Sequence, residues 1–477
     1  MTIKAVRGTR DLLPPETSLW QFVEDSARQV FHRYNFREIR TPIFEATELF
    51  ARSVGEETDI VGKEMFTWED KAKAPKSVSP ISDISTSEKP QSLTLRPENT
   101  AGVVRAYIEH GLGESGALQK LYYMGPQFRR ERPQKGRFRQ FYQIGAEAIG
   151  PPSSGSESPA RDAEIITMLV DLLAAVGIRH YALQLNSVGC AADRARYDAA
   201  LRDALKPVVA KMCVDCQRRA VNNPLRVLDC KVPADQPIIA TLPVISAYLD
   251  DDCRAHFAQV RALLDAVAVP YQLNERMVRG LEYYTRTTFE FNHGGLGAQS
   301  ALLGGGRYDG LSESLGGPRA PGIGFALGLD RFILAFENER SERAANSPAA
   351  SPEAAQPPAV YIAPLGQGMN AEAFRLAREL RAAGNARELR AAENDRELRA
   401  AGSVAGKEAL VVELGDETFR LKKSFEAAER AGAKFVIIVG ENEVKAGAFT
   451  VKDLASGEQT TVPRAKLAAH FRVHPQH

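Results

Sequence analysis

The chain has 477 residues, of which 44% are hydrophobic and 25% charged, and its formal net charge is +1. This length predicts two or three globular domains, and the near-neutral charge excludes a generally basic protein, so an RNA partner would have to meet local basic patches. No apolar run approaches the roughly 20 residues of a membrane helix, and the first residues lack the apolar segment of a signal peptide, so we expect a cytoplasmic protein with no membrane partner.

The first hundred residues carry one helix pattern and three strand patterns. Apolar residues recur at helical spacing over 17–34, which predicts a helix. The stretch FREIRTPIFE is predicted to be extended, because Pro42 disfavours a helical residue before it. Two further strands are predicted at EMFTWED and SLTLRPE, and the loop 71–91 between them has about twenty residues, a length typical of mobile or functional loops.

A cation-rich turn follows. The segments LQKLYYMGPQFRR and RFRQFYQIGAEAIG predict a strand pair around ERPQKG. It contains one acid, Glu131, and six cations: Arg129, Arg130, Arg132, Lys135, Arg137 and Arg139. Because a guanidinium donates two hydrogen bonds at once, Arg129 and Arg137 could hold a polyphosphate between them, with Glu131 accepting from an amine such as that of adenine. A solvated charged hairpin is the alternative that these residues leave open.

The middle of the chain predicts a helical insertion over 188–268 inside a first domain of residues 1–337. Residues 163–269 have a mostly helical pattern, apart from the strand-like YALQLNSV. Strands resume in TRTTFEFN, and the glycine-rich segments LLGGGRYDGL and GIGFALGLDRFILAF close the domain.

Five cysteines are present, and an odd number argues against a disulfide framework. Cys213 and Cys216 form a Cys-x-x-Cys pair, with Cys230 after them, which could begin a zinc site. Only three cysteines lie close in sequence and no histidine has finger spacing, so ordinary reduced cysteines are favoured and zinc is not expected.

The last part of the chain is predicted to be a separate domain. A Pro-, Ala- and Ser-rich segment, 338–358, predicts a flexible linker. Residues 359–477 then alternate as β-α-β-α-β-β, which predicts an α/β domain.

A nine-residue unit that begins with Arg-Glu-Leu-Arg-Ala-Ala occurs three times in tandem over 378–404. Nine residues advance a helix by about half a turn beyond two full turns, so Leu380 and Leu398 share a face while Leu389 points the opposite way. We therefore predict either a helix that extends beyond the domain with Leu389 exposed, or a break near Gly384 or Asn394. A tolerated duplication is favoured over an added RNA-binding helix.

Three stretches, RTPIFE, QFRRE and GFALGLDR, resemble motifs 1, 2 and 3 of class II aminoacyl-tRNA synthetases, in that order. The stretches TLRPENTAGVVRAYIEHGL, RMVRGLEYYTRTTFEF and GGGRYDGL resemble the histidyl-tRNA synthetase family within that class. The resemblance covers nearly the whole chain. It implies an α+β catalytic domain on an antiparallel sheet, an anticodon-binding C-terminal domain, a homodimer through motif 1, and histidine, ATP with Mg²⁺ and tRNA(His) as partners.

The resemblance assigns the nucleotide site to motifs 2 and 3. It implies that Arg129 meets the α-phosphate, that Glu131 meets adenine and that Phe141 lies against the adenine ring. It also implies that Arg331 meets the γ-phosphate with help from Arg137. The solvated hairpin is then the less favoured interpretation of these cations.

The same resemblance assigns a histidine pocket, and a neutral imidazole needs one acceptor and one donor. Glu147 would accept its N–H, Tyr284 would donate to its other nitrogen, and Tyr283 and Tyr308 would line the ring. The groups implied to hold the α-ammonium are Glu98, Thr100 and Gln143.

Arg279 is the implied catalytic residue together with Arg129. It would lie between the histidine carboxylate and the α-phosphate and neutralise charge as they react. An unpaired surface arginine is the plainer alternative. A regulatory paralogue that senses histidine is the alternative function, although it typically lacks the anticodon domain and intact signature residues.

Two residues depart from the family pattern. Glu282 stands where aspartate usually precedes the paired tyrosines, and we expect its supporting role to survive the longer side chain. Asn99 stands in RPENT where glycine is common, which requires a backbone angle that asparagine tolerates.

Overall fold

The computed structural model describes residues 3–55, 58, 60–70, 91–134, 136–278, 280–296, 300–346, 360–391 and 410–471, with the backbone alone described at 342–346 and 382–391. The chain divides into an N-terminal unit, Met1–Ser351, and a C-terminal unit, Pro352–His477. Among the helices of the described ranges, none is both long and apolar enough to cross a membrane.

The N-terminal unit is built on an eight-stranded sheet, in the order β1-β5-β6-β11-β10-β9-β7-β8, with a three-stranded sheet β2-β4-β3 beside it. Its strands are β1 (Arg37–Glu38), β2 (Phe44–Ala46), β3 (Phe66–Asp70), β4 (Gln91–Leu95), β5 (Gln119–Phe128), β6 (Gln140–Ile149), β7 (Ala182–Ser187), β8 (Gln272–Leu273), β9 (Thr285–Asn292), β10 (Ala301–Arg307) and β11 (Gly322–Gly328). The six central strands pair antiparallel, and only the edge strands β1 and β8 pair parallel. The class II type of antiparallel sheet is thereby confirmed.

In the described part of this unit, ten α-helices accompany the sheets. They are α1 (Glu16–Arg33), α2 (Thr47–Val54), α3 (Thr100–Glu109), α4 (Pro159–Val176), α5 (Ala191–Leu205), α6 (Val214–Asn222), α7 (Gln236–Thr241), α8 (Asp251–Ala266), α9 (Leu311–Ser314) and α10 (Leu329–Asn346). The helix predicted over 17–34 is confirmed as α1, and its apolar stripe, including Trp20 and Phe31, packs into the main core.

The single strand predicted at FREIRTPIFE is wrong. The chain forms two short strands there, with β1 in the large sheet and β2 in the small one. Pro42 lies between them, and because proline has no N–H it cannot donate to a strand ladder. The predicted loop 71–91 lies outside the described residues, except for Gln91, which begins β4.

The two faces of the large sheet have different chemistry because side chains alternate along each strand. On β6, Ile144, Ala146 and Ala148 are buried in the core that also holds residues of α1 and α4. The alternate residues of β6, including Gln143 and Glu147, point to the other face. That second face is where the polar motifs of the sequence meet.

The insertion has a small core of its own. Its buried cluster includes Tyr197, Leu201 and Cys230. The predicted end at residue 268 is too late, because Val260 and Leu264 of α8 belong to the main core instead. Helix α8 contacts α4, so its C-terminal half is part of the body that carries the sheet.

The C-terminal unit has a five-stranded sheet in the order β13-β12-β14-β15-β16. Its strands are β12 (Val360–Leu365), β13 (Val412–Leu414), β14 (Phe435–Gly440), β15 (Ala448–Asp453) and β16 (Gln459–Pro463), and its helices are α11 (Asn370–Ala391), α12 (Leu421–Arg430), α13 (Glu441–Ala446) and α14 (Leu467–His470). The predicted β-α-β-α-β-β order is present, and the structure adds a short helix, a fifth strand and a terminal helical turn.

Two boundary predictions change. Helix α10 continues to Asn346, so the first part of the predicted linker 338–358 is helical, and β12 begins at Val360. In the repeat, α11 runs through Gly384, so the break predicted there is wrong, and Leu380 is buried. The exposure of Leu389 and the alternative break near Asn394 lie outside what the structure describes.

Candidate active site

The polar face of the sheet has room for large side chains because glycines stand opposite them. Glu147 on β6 pairs in register with Gly324 on β11, which pairs with Gly306 on β10. A Cβ atom at Gly324 would lie 1.7 Å from Oε2 of Glu147, and one at Gly306 would lie 2.8 Å from Cδ1 of Tyr284. The glycines of these motifs therefore leave free the space that the pocket side chains occupy.

Glu147 is the centre of this face. It is 0% exposed, and its two oxygens accept hydrogen bonds from the hydroxyls of Thr100 and Tyr308, each at 2.7 Å. Burial raises the pKa of Glu147 to about 8, although the bonds from Tyr308 and Thr100 act in the opposite direction. Each carboxylate oxygen has two lone pairs, so Glu147 can accept a further bond from a ligand in the pocket.

Tyr308 is held in place by its neighbour Arg307, which sequence reasoning missed. Arg307 is 0% exposed and donates through Nε to Asp162 at 3.1 Å and through Nη1 to Asp309 and the carbonyl of Ser156, both at 2.9 Å. A buried arginine with this many partners fixes its backbone. The following residue, Tyr308, is thereby aimed at Glu147.

Glu98 and Thr100 lie at the start of α3. The oxygens of Glu98 accept from the backbone N–H groups of Thr100 at 2.7 Å and Ala101 at 3.0 Å, as a carboxylate at a helix N-terminus does. Burial raises the pKa of Glu98. Asn99 has φ −122°, so no glycine-like angle is needed there, and its Oδ1 accepts from Thr41 at 2.6 Å.

Aromatic rings close one side of the pocket. Tyr283 lies 4.9 Å from Tyr284 and 5.9 Å from Tyr308, centroid to centroid. Tyr123 on β5 pairs in register with Gly145 and so shares the face of Glu147. Burial, followed by the charge of Glu147, raises the pKa of Tyr123 well above its usual value. Tyr123 was not predicted, although its register position was the available signal.

Two buried amides on the same face have unused hydrogen-bonding groups. Oε1 of Gln143, and both amide atoms of Gln127, have no partner among the described residues. In register, Gln127 pairs with Phe141 and Gln143 with Gly125, so both side chains point to the face of Glu147. Leaving such groups unpaired costs roughly 1–3 kcal/mol each, so this part of the face is suited to a polar ligand.

The phosphate-site residues of motif 2 contact one another. The guanidinium carbon of Arg129 lies 5.3 Å from the centre of the Phe141 ring, and its Nε donates to the carbonyl of Pro97 at 2.9 Å. Arg137 donates to Glu131 at 3.0 Å, so these two predicted nucleotide-binding residues form an ion pair here.

Arg331 joins the same end of the sheet. It donates to the carbonyl of Ala301 through Nε at 3.1 Å and Nη2 at 2.9 Å. Burial lowers its pKa, and the charge of Arg137 lowers it further, whereas Glu131 and Glu290 raise it. Two arginines close enough to repel each other are suited to sharing a polyanion.

Arg279 lies outside the described residues, but the segment after it is fixed by the insertion. Asn223, directly after α6, donates to Oε1 of Glu282 at 2.9 Å, and Arg194 on α5 donates to the carbonyls of Glu282 and Tyr284 at 3.0 and 2.8 Å. A Cβ at Gly55 would lie 2.4 Å from Oε2 of Glu282, so a glycine makes room for this longer acid.

If the pocket holds histidine, as the family resemblance implies, substitution of Gly324 by alanine should raise the KM for histidine about 10- to 100-fold, because overpacking a tight site costs roughly 1–3 kcal/mol. The added methyl group would displace the Glu147 carboxylate. Gly294→Ala is the matched control, since Gly294 is exposed and a Cβ there would meet no atom of the described residues within 4 Å. Histidine-dependent exchange of pyrophosphate into ATP measures both. Equal histidine KM values for the two variants would contradict the steric argument.

Comparison with known proteins shows which family the chain is similar to. The profile of the family described as histidyl-tRNA synthetase matches residues 8–332, and that of the anticodon binding domain matches 359–474. The chain is 64% identical over 472 residues to a histidine–tRNA ligase of Koribacter versatilis, covering 99% of this chain and 96% of that relative. It is 50% identical to one of Solibacter usitatus over 98% of this chain and 99% of the relative. It is also similar to the solved S. aureus apo histidyl-tRNA synthetase, with a TM-score of 0.73 and 34% identity over 99% and 100% of the two chains.

Proposed function

The chain belongs to the histidyl-tRNA synthetase family, and from that premise we propose how its own residues carry out the ligase reaction. The activity is that of a histidine–tRNA ligase: histidine and ATP give histidyl-adenylate and pyrophosphate, and the histidyl group then moves to tRNA. The observation that carries the proposal is the buried Glu147 at the end of a sheet face that leads to Arg129, Arg137 and Arg331. A histidine-sensing regulator is not favoured, because relatives matched over the full length are histidine–tRNA ligases.

Histidine recognition is assigned to the Glu147 end of the face. The carboxylate of Glu147 accepts the imidazole N–H, and Tyr284 donates to the other ring nitrogen, with Tyr283 and Tyr308 lining the ring. A site built on such bonds rejects analogues that lack them by roughly 10⁴–10⁵, because its own groups would remain unpaired. The free amide oxygen of Gln143 supports its assignment to the α-ammonium group, together with Glu98.

Thr100 receives a changed role. Its hydroxyl donates to Glu147 and its N–H to Glu98. Only the lone pairs of the hydroxyl remain for the ammonium group. We therefore assign Thr100 to fixing both acids as well as to contacting histidine.

The ATP end of the face is assigned to the arginines. Arg129 contacts the α-phosphate, and Arg331 with Arg137 contacts the γ-phosphate, while Glu131 meets the adenine amine once ATP separates it from Arg137. Phe141 already contacts Arg129, so adenine would stack on the side of the ring that Arg129 leaves free.

The chemical step needs charge neutralisation rather than proton transfer. An oxygen of the histidine carboxylate attacks the α-phosphorus, and the bond from that phosphorus to the bridging oxygen breaks as pyrophosphate leaves. Arg129 and Arg279 stabilise the negative charge spread over the phosphoryl oxygens. Glu290, whose charge reaches Arg331, offers the carboxylate oxygen that Mg²⁺ prefers, and a bound Mg²⁺ would supply further charge neutralisation.

Partners beyond the small substrates are assigned by unit. The C-terminal unit binds the tRNA(His) anticodon. The chain is assigned to the cytoplasm, because charged tRNA is used there.

Dimerisation through motif 1 is supported by an exposed apolar patch, in which Phe44 is 53% and Trp68 41% exposed with ring centroids 6.1 Å apart. Large exposed apolar side chains beside each other are typical of an interface.

Histidine-dependent pyrophosphate exchange, followed by charging of tRNA(His), tests the proposed function. Exchange that requires histidine and ATP together is the expected result. A chain that binds histidine but supports no exchange would be a regulator and would overturn the proposal.

Removing the C-terminal unit should separate the two half-reactions. A chain ending at Ser351 keeps every assigned pocket residue and should retain exchange, while charging of tRNA(His) should fall at least about tenfold through lost RNA contacts. A cut near Glu339 would be unsuitable, because its buried carboxylate accepts from the backbone of Arg179 and His180 at 2.9 and 2.6 Å. Equal charging by both chains would contradict an anticodon role for the last unit.

A further inference from the structure

The insertion gathers three cysteines and an aspartate that the ligase chemistry does not use. Cys213, Cys216, Cys230 and Asp235 each place one sulfur or oxygen atom within 4.8 Å of those of the others. Cys216, Cys230 and Asp235 are buried, and Cys213 is half-buried. The sequence suggested only the three cysteines, and the fourth member became visible only through the fold.

The distances fit a tetrahedral zinc ion. With Zn–S bonds of about 2.3 Å, two sulfurs on one ion lie about 3.8 Å apart, and a sulfur and an oxygen lie about 3.5 Å apart. The sulfurs of Cys213 and Cys230 are 3.9 Å apart, and Sγ of Cys230 lies 3.3 Å from Oδ2 of Asp235. A disulfide would need sulfurs about 2.05 Å apart.

The positive ends of backbone dipoles lie beside the sulfur atoms of the cluster. Cys213 is the N-cap of α6 and Cys216 lies in its first turn, where the helix dipole stabilises negative charge. The N–H of Val232 donates to Sγ of Cys230 at 3.4 Å. Asp235 is buried and accepts from the backbone N–H of Cys213 at 3.1 and 3.2 Å, but within the described residues no lysine, arginine or histidine forms an ion pair with it.

A second cluster, with two cysteines and two aspartates, differs in how its charge is balanced. Cys190, Asp193, Asp250 and Cys253 form two interlocked helix caps. Asp193 accepts from the backbone of Cys190 and Asp250 and pairs with Arg196, while Asp250 accepts from the backbone of Cys253 at 2.7 Å. Asp193 therefore has a cation as its partner, whereas Asp235 has none within the described residues, which makes this second cluster an internal control.

We propose that Cys213, Cys216, Cys230 and Asp235 bind one structural zinc ion that joins the start of α6 to the two loops that follow it. The site is closed, with four protein ligands and no position for substrate, as structural zinc sites are. The ion holds together the small core of the insertion. That core positions Asn223, which donates to Glu282 in the active site. The metal therefore acts on the fold and is no reactant in the ligase reaction.

The zinc content of the purified full chain tests the proposal. After dialysis against EDTA under reducing conditions, elemental analysis should find about one zinc per chain, because structural sites with thiolate ligands bind tightly. Cys230→Ser should lower the zinc content at least about fivefold. Cys253→Ser, in the control cluster, should keep it.

Cobalt substitution keeps the test independent of whether a variant folds. Wild-type chain stripped of zinc and titrated with Co²⁺ should develop a thiolate-to-cobalt charge-transfer band that saturates at about one equivalent. Asp235→Asn should keep the band with a weaker affinity, since three thiolates remain. Reduced wild-type chain with less than about 0.1 zinc and no such band, or equal zinc loss in Cys253→Ser, would overturn the proposal. A Cys213–Cys230 disulfide in freshly purified protein would also overturn it.

Discussion

Replacement of Glu147 with glutamine should lower kcat/KM for histidine by about 10²- to 10⁴-fold and leave the KM for ATP nearly unchanged. Glutamine keeps the shape of the side chain but offers one acceptor oxygen in place of two. Thr100 and Tyr308 donate to different oxygens of Glu147, so the amide leaves one of these hydroxyls, or the imidazole N–H, without an acceptor. Losing a bond to a charged acceptor costs about 1.5–3 kcal/mol, and an unpaired buried donor adds about 1–3 kcal/mol.

Glu109→Gln is the matched control for this substitution. Glu109 ends the same helix that Thr100 begins, but its side chain is 57% exposed and paired with Arg105. Exposed pairs of this kind contribute little, so exchange should be unchanged. If the KM for ATP rose in Glu147→Gln while that for histidine did not, Glu147 would belong to the nucleotide site.

The raised pKa of Glu147 gives the same prediction a pH dependence. With a pKa of about 8 in the free enzyme, the carboxyl is mostly protonated at pH 7 and becomes a charged, acceptor-only carboxylate as the pH rises through 8. Because kcat/KM reports the free enzyme, kcat/KM for histidine should rise between about pH 7 and pH 8.5 in the wild type and lose this rise in Glu147→Gln. An identical profile in both would assign the titration to another group.

The same carboxyl should make the unliganded protein less stable as the pH rises. Its folded pKa is raised above the usual value of 4.5, so the folded state binds more protons between pH 4.5 and about pH 8. The stability that this proton provides is complete below pH 4.5 and is lost as the pH rises through 8. Histidine, by binding the carboxylate, offsets that loss.

Much of the site could be predicted because its residues stand in long motifs with a fixed order. The family resemblance assigned Gln143 to the pocket, and the period of two along β6 places it on the face of Glu147. Tyr123 lies on that face only through its pairing with Gly145, and the register of two strands is a tertiary property that one strand's pattern does not contain.

The residues that were missed act across large sequence separations. Arg307 meets Asp162 across 145 residues, and Arg194 reaches the carbonyl of Tyr284 across 90. Neither partner has a pattern that points to the other. The strand predicted at FREIRTPIFE failed for a local reason, because Pro42 interrupts the ladder and sends its two halves to different sheets.

Replacement of Arg129 with alanine should lower the single-turnover rate of histidyl-adenylate formation by about 10³-fold, the scale of an arginine that stabilises phosphoryl transfer. Its Nε donates to the carbonyl of Pro97 and its guanidinium carbon lies over the Phe141 ring, so the guanidinium is held in place before ATP arrives. A charge fixed in advance contributes more to a transition state than one that must reorganise.

Two further variants separate charge from geometry. Arg129→Lys keeps the positive charge but loses the fork that holds Pro97 and a phosphate oxygen together, so its rate should lie between those of Arg129→Ala and the wild type. Arg130→Ala is the control, because Arg130 is the adjacent residue, is exposed, and has its guanidinium carbon 5.7 Å from the centre of the Phe66 ring, outside the pocket. Its rate should be close to that of the wild type.

Two outcomes would contradict this assignment. A loss in Arg130→Ala as large as that in Arg129→Ala would mean that the hairpin acts through its overall charge. A full rate in Arg129→Lys would show that the charge alone is sufficient and that the planar geometry of Arg129 is not required.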